Sequence, residues 1–171
     1  MNTHSTQTEQ DLDIVAIWLR RDPARWVAGA LAGVVASAVL ILFAMMLCKA
    51  NGMDLWYPVK VAAIPFMGGA AMDYDNSASI FPGILAIEVF SVFWGVLFGH
   101  FTGTNRFLPL LGVGFTWGVF TWIFWVNLFL SSFREMYVAS IPKGGAFFVC
   151  LAWGFALTSV SIFDRLIKGG K

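Results

Sequence analysis

The chain has 171 residues, 58% of them hydrophobic and only 12% charged, with a formal net charge of +1. A soluble domain carries about 25% charged residues, so the charged skin of an ordinary water-soluble fold is missing, and so is the basic stripe of a nucleic-acid binder. Two cysteines, Cys48 and Cys150, and two histidines, His4 and His100, exclude a disulfide framework and most metal or haem sites, and no cofactor is expected.

The charges fall at the two ends and in short junctions, with long apolar runs between them. This is how a chain is patterned when lipid is its main solvent. The expected fold is an all-α integral membrane protein: a four-transmembrane-helix bundle with an N-terminal amphipathic helix and an interfacial or re-entrant outer segment. Residues 1–25 form a cytoplasmic tail, 26–166 a single membrane domain, and 167–171 a second cytoplasmic tail.

Residues 1–10 are polar. Within residues 11–21, Leu12, Val15, Trp18 and Leu19 share one helical face ahead of Arg20 and Arg21, the pattern of a helix lying on a membrane surface. Asp22-Pro23 is a helix start signal. Aspartate caps free backbone N–H groups, and proline suits the first helical position because its missing N–H had no partner there. The run 26–48 carries no charge. At 1.5 Å per residue it is about 34 Å long, enough to cross the hydrocarbon core.

Residues 49–80 are apolar but broken by Pro58, Lys60, Pro65, Gly68 and Gly69. They are too interrupted for a clean span and are expected to cap the bundle on its outer side. Asp54 and Lys60 are placed to pair there. Asp73, Asp75 and Asn76 are oxygen-rich but lack the length and terminal glutamate of a calcium loop, so a solvated turn is the better reading.

The second span covers 81–101. A very short turn through Thr102, Thr104, Asn105 and Arg106 leads into the third span, 108–130, and makes these two helices antiparallel neighbours. Residues 131–143 form another outer segment, and 144–166 the fourth span. Arg20, Arg21, Arg25, Arg106, Arg165, Lys168 and Lys171 lie on one side; Lys49, Lys60, Arg134 and Lys143 lie on the other. The positive-inside bias puts the richer side, with both termini, in the cytoplasm. A bacterial inner membrane is the expected location.

Burial does not drive helices together in lipid, but close backbone approach across small residues does. Gly29, Gly33 and Ser37 recur at four-residue spacing in the first span. Ser91, Gly95 and Gly99 do so in the second, Gly114 and Gly118 in the third, and Gly154 and Thr158 in the fourth. These stripes are candidate packing surfaces within the bundle or between copies of the chain.

Glu88 is the costly residue. A charged side chain at the centre of a membrane helix costs about 2.5–3.5 kcal/mol on insertion scales. At 100° per residue it falls on the face of Ser91, Gly95 and Gly99, so an inward position is expected. Depth matching nominates Asn127 as its hydrogen-bond partner. Two roles compete. Glu88 either ties two helices together or carries a proton or cation, with Ser91 and Thr121 lining the route; the structural role is ahead, because a single carboxylate makes a thin relay. His100 reads as an ordinary interfacial histidine, and Cys48 and Cys150 as free thiols.

No nucleophile elbow, P-loop, zinc motif or paired catalytic carboxylates is present. The sequence therefore points to a non-enzymatic protein that acts by interaction. It would be an accessory or assembly subunit of a membrane complex, or a small homo-oligomer, with the bilayer and other membrane subunits or itself as partners. The alternative is a small transporter or channel that uses Glu88 as an intramembrane proton or cation site.

Overall fold

The computed structural model describes residues 21–73, 75, 77–129 and 143–169, without the side chains of Val126, Asn127, Phe129 and Lys143. Residues 11–20 of the amphipathic helix expected over 11–21, and residues 131–142 of the outer segment expected over 131–143, lie outside the described residues. Every regular element among the described residues is helical.

Helix α1, Pro23–Ala50, opens as its sequence requires. Pro23 takes the first helical position and the Asp22 carboxylate accepts a 3.2 Å hydrogen bond from the Arg25 backbone N–H. The helix ends at Asn51, followed by Gly52 at φ +71°, a left-handed conformation that glycine adopts without a Cβ penalty. The broken outer segment forms a helix, α2, Tyr57–Met67, which continues into a 3-10 stretch, Gly68–Met72. Helix α3 is Ile80–Phe101 and helix α4 is Phe107–Trp122, with a π-helical stretch, Ile123–Phe129, after it. The fourth apolar run is not one continuous α-helix. Helix α5, Lys143–Ala156, tightens into a 3-10 turn at Leu157–Ser159 before helix α6, Val160–Ile167. Four helical stretches are long and apolar enough to cross a membrane: Pro23–Ala50, Ser77–Phe101, Phe107–Trp125 and Gly144–Ile167.

The helices join in two tight antiparallel pairs. Helix α1 closes on α3, and helix α4 closes on α5. A Cβ added at Gly29 or Gly33 would run into the Gly95 or Ser91 carbonyl, and one at Gly99 would lie 2.7 Å from the Arg25 carbonyl. Added to Gly118, it would lie 2.7 Å from the Cys150 carbonyl; added to Gly114, 2.7 Å from that of Gly154. Each nominated glycine therefore sits at a point where two backbones meet. Ala28, Ala32, Ala36, Trp153, Leu157 and Val160 are fully buried in the core that joins the pairs through α1, α5 and α6.

The second and third runs are antiparallel, but they meet differently from the other neighbours. Trp94 packs against Trp117, Phe120 and Phe124 with ring centroids 5.7–6.1 Å apart, and Phe98 lies 5.9 Å from Trp117. A layer of rings, not a glycine seam, fills the space between α3 and α4. Bulky aromatics hold backbones apart where glycines would let them touch.

Helix α2 lies against the start of α3. Gly83 makes room for it, since a Cβ there would meet the Val59 carbonyl. Lys60 on α2 is buried. Its ammonium lies 2.8 Å from Asp54 and donates to the Asp73 carbonyl at 3.3 Å. The expected Asp54–Lys60 pair forms, and on the lysine side it is sheltered from solvent.

Candidate functional site

Two polar clusters interrupt the apolar interior. The first lies along the α1/α3 seam. Because Gly29 and Gly33 on α1 face Gly95 and Ser91 on antiparallel α3, the next residue of each stripe must also meet: Ser37 and Glu88. The Ser37 hydroxyl donates to the Glu88 carboxylate in a short hydrogen bond, and it also lies 2.7 Å from the Val34 carbonyl. Glu88 is half-buried; Ser37 is buried. One turn along α3, the buried Ser91 hydroxyl accepts a 3.0 Å hydrogen bond from Trp153 Nε1, tying α3 to α5. Thr121 is also buried, on α4, and its hydroxyl has no hydrogen-bond partner among the described residues.

Glu88 and Ser91 thus sit on the packing face, as their spacing requires. The structure links both into interhelical hydrogen bonds, and Thr121 belongs to the other helix pair. The Asn127 side chain, nominated as Glu88's partner, lies outside the described residues. Among the described residues, Glu88 is hydrogen-bonded to Ser37.

The second cluster sits where α1 begins and α6 ends. Arg25 is 2% exposed and Asp164 is 1% exposed. Arg25 Nη1 donates to Asp164 Oδ2 at 3.0 Å and to Asn105 Oδ1 at 2.7 Å. Its Nη2 donates to the Thr104 carbonyl at 2.8 Å, and its Nε donates to the Gly99 carbonyl at 3.1 Å. The physical logic is helix capping at a distance. The last carbonyls of α3 lack intrahelical partners, and a cation at a helix C-terminus is favoured by the dipole. Arg25 supplies both, while Thr102 Oγ1 donates to the Phe98 carbonyl at 2.7 Å.

Asp164 is held in turn by Asn105, whose Nδ2 donates to Oδ2 at 2.8 Å. Lys168 Nζ lies 2.9 Å from Asp164 Oδ1 and 2.9 Å from Asp22 Oδ2, joining the two ends of the described chain. Hydrogen bonding to Asp164 and then to Asp22 holds the Lys168 ammonium above its ordinary pKa of 10.5. The node balances Arg25 and Lys168 against Asp22 and Asp164, so a buried charge on α1 has its countercharge on α6.

The node was missed as a unit in the sequence, where Arg25 counted only as one basic residue on the richer side. The available signal was that both Arg25 and Asp164 lie within a terminal turn of an apolar run, on the same side, with opposite charge. His100 is engaged locally and accepts a 3.1 Å hydrogen bond from Trp26 Nε1. Cys48 and Cys150 are free thiols. Among the described residues no group of three or more His, Cys, Asp or Glu is placed to hold a metal ion. In both clusters polar side chains hydrogen-bond across neighbouring helices. Compared with models of protein families, with curated proteins and with solved structures, the chain matches none of them.

Proposed function

We propose that the chain is an integral membrane protein, a four-span helical bundle, that works by lateral interaction. It serves as an accessory or assembly subunit of a larger membrane complex, or as a small homo-oligomer. Its location is a bacterial inner membrane, with both termini on the cytoplasmic side. The observation that carries this reading is the division between a tied interior and a largely apolar exterior. Glu88, Ser91, Arg25 and Asp164 spend their polar groups on neighbouring helices. Leu31, Val34, Leu42 and Met46 of α1, and Phe81, Leu85, Val89 and Phe93 of α3, lie exposed. Exposed apolar area of this kind is where a membrane or a membrane partner is met.

A second reading rests on the partial exposure of Glu88, a carboxylate in the midst of an apolar helix. An intramembrane carboxylate is a candidate ion or proton site by default. One experiment addresses both readings. Extracted in mild detergent, the chain runs as a discrete complex well above its 18.8 kDa mass, and Glu88→Gln leaves that complex intact. A clean monomer overturns the interaction reading. A proton or cation flux in liposomes that Glu88→Gln abolishes replaces it with the second.

A further inference from the structure

An open groove of about 460 Å³ lies beside the fourth apolar run where it breaks. The break has a sequence cause. Thr158 and Ser161 donate their hydroxyls to the Phe155 and Thr158 carbonyls at 2.6 and 3.1 Å, and such back-bonding bends helices. The helix tightens to 3-10 at Leu157–Ser159. Val35 and Val39 of α1, with Phe155 and Ile162, give the groove apolar walls. Asn105 and Arg165 give it a polar end.

Arg165 distinguishes this groove from a packing gap. Its neighbour Asp164 is wholly taken by the buried node, so Arg165 has no acidic partner among the described residues. It is exposed, and its Nη2 donates one 3.2 Å hydrogen bond to the Asn105 carbonyl. Exposed Arg106 follows Asn105 in the chain, and half-exposed Lys168 lies beyond α6. Ser159 adds a buried hydroxyl on the groove wall with no hydrogen-bond partner among the described residues. An apolar trough that ends at Arg165, a guanidinium with no acidic partner among the described residues, complements a lipid phosphate joined to an acyl chain. Basic pockets between membrane helices take anionic headgroups.

We propose that this groove binds one anionic phospholipid, with an acyl chain along Val35, Val39, Phe155 and Ile162 and the headgroup phosphate on Arg165. The proposal rests on the membrane reading above. Its test uses the full chain in neutral detergent, titrated with phosphatidylglycerol or phosphatidylcholine and read by native mass spectrometry. One phosphatidylglycerol is retained per chain, preferred about fivefold over phosphatidylcholine, the ratio set by one basic residue near a membrane surface. Arg165→Gln removes the preference, and Ile162→Trp, which fills the trough, removes retention of both lipids. In the wild type, a photoreactive phosphatidylglycerol labels the peptides containing Phe155 or Ile162.

Equal retention of both lipids, an unchanged preference in Arg165→Gln, or labelling confined to other helices overturns the proposal. Complete displacement by excess inorganic phosphate also overturns it, since the site would then hold the anion alone. Alkaline carbonate extraction of native membranes separates this failure from that of the membrane reading. A chain that resists extraction yet shows no lipid preference loses only the groove, whereas a chain that washes off loses both.

Discussion

Arg25 holds together parts of the chain that the sequence keeps far apart: it donates to residues 74, 80 and 139 positions away. Burying such a group is costly, and removing one partner of a buried pair costs about 3–5 kcal/mol because the other charge is stranded. Arg25→Leu is therefore expected to destabilise the bundle by about 3 kcal/mol, at the low end because Asp164 keeps Asn105 and Lys168. The double variant Arg25→Leu/Asp164→Leu should recover part of that loss, since no unpaired charge remains at the node. Thermal unfolding in micelles, followed by helical signal, checks this; a double variant no better than the sum of the singles contradicts it. Glu88 was more legible than Arg25. Its inward direction followed from helical spacing alone. Its partner was also within reach of the sequence, because antiparallel pairing of the stripe Gly29, Gly33, Ser37 with Gly95, Ser91, Glu88 places the last two together.

At the scale of elements, the outer helix α2 shows where local sequence signals run out. Pro65 and paired glycines marked an interrupted segment, but a helix of 11 residues that includes Pro65 forms there. Tertiary contacts override the local preference: Val59 seats over Gly83, and Lys60 is clamped by Asp54. This clamp has a pH signature. Hydrogen bonding from Lys60 holds the Asp54 carboxyl below its ordinary pKa of 3.8. A carboxylate with a depressed folded pKa contributes stability that is fully present above the unfolded value and is lost as pH falls through the folded one. Amide exchange over Tyr57–Met67 should stay constant from neutral pH down to about 4 once corrected for intrinsic rates, then accelerate below it. Asp54→Asn should show the faster exchange already at pH 7. Unchanged protection in that variant would mean that packing on Gly83 alone holds α2. The fourth run shows the same limit of local signals: it forms a span over Gly144–Ile167, but with a tightened turn inside it. The apolar run continues through 157–159, and the turn tightens because hydroxyls at Thr158 and Ser161 compete for backbone carbonyls.

For the whole molecule, the arrangement of two glycine-closed pairs around a shared core decides how stability is distributed. Four apolar runs, alternating in direction, were legible from composition and length. Which runs close on glycine was not, because every run carries a small-residue stripe; the short 102–106 turn made α3 and α4 antiparallel neighbours, and rings fill the space between them. The α1/α3 and α4/α5 seams share no close glycine approach. A side chain forced into either must push whole backbones apart, with an overpacking cost of about 1–3 kcal/mol. Gly33→Leu and Gly118→Leu should each lower stability by at least that much, and the double variant should lose the sum to within about 0.5 kcal/mol, as distant sites without shared partners do. Unfolding of the three variants in one detergent measures this. A coupling clearly larger than that margin would mean that the core of Ala28, Ala32, Ala36, Trp153 and Leu157 transmits strain between the pairs. The bundle would then open as one unit. Additivity would instead make each pair a separate stable body, so that a partner or lipid bound at the broken fourth run could shift one pair without unsealing the Glu88 seam in the other.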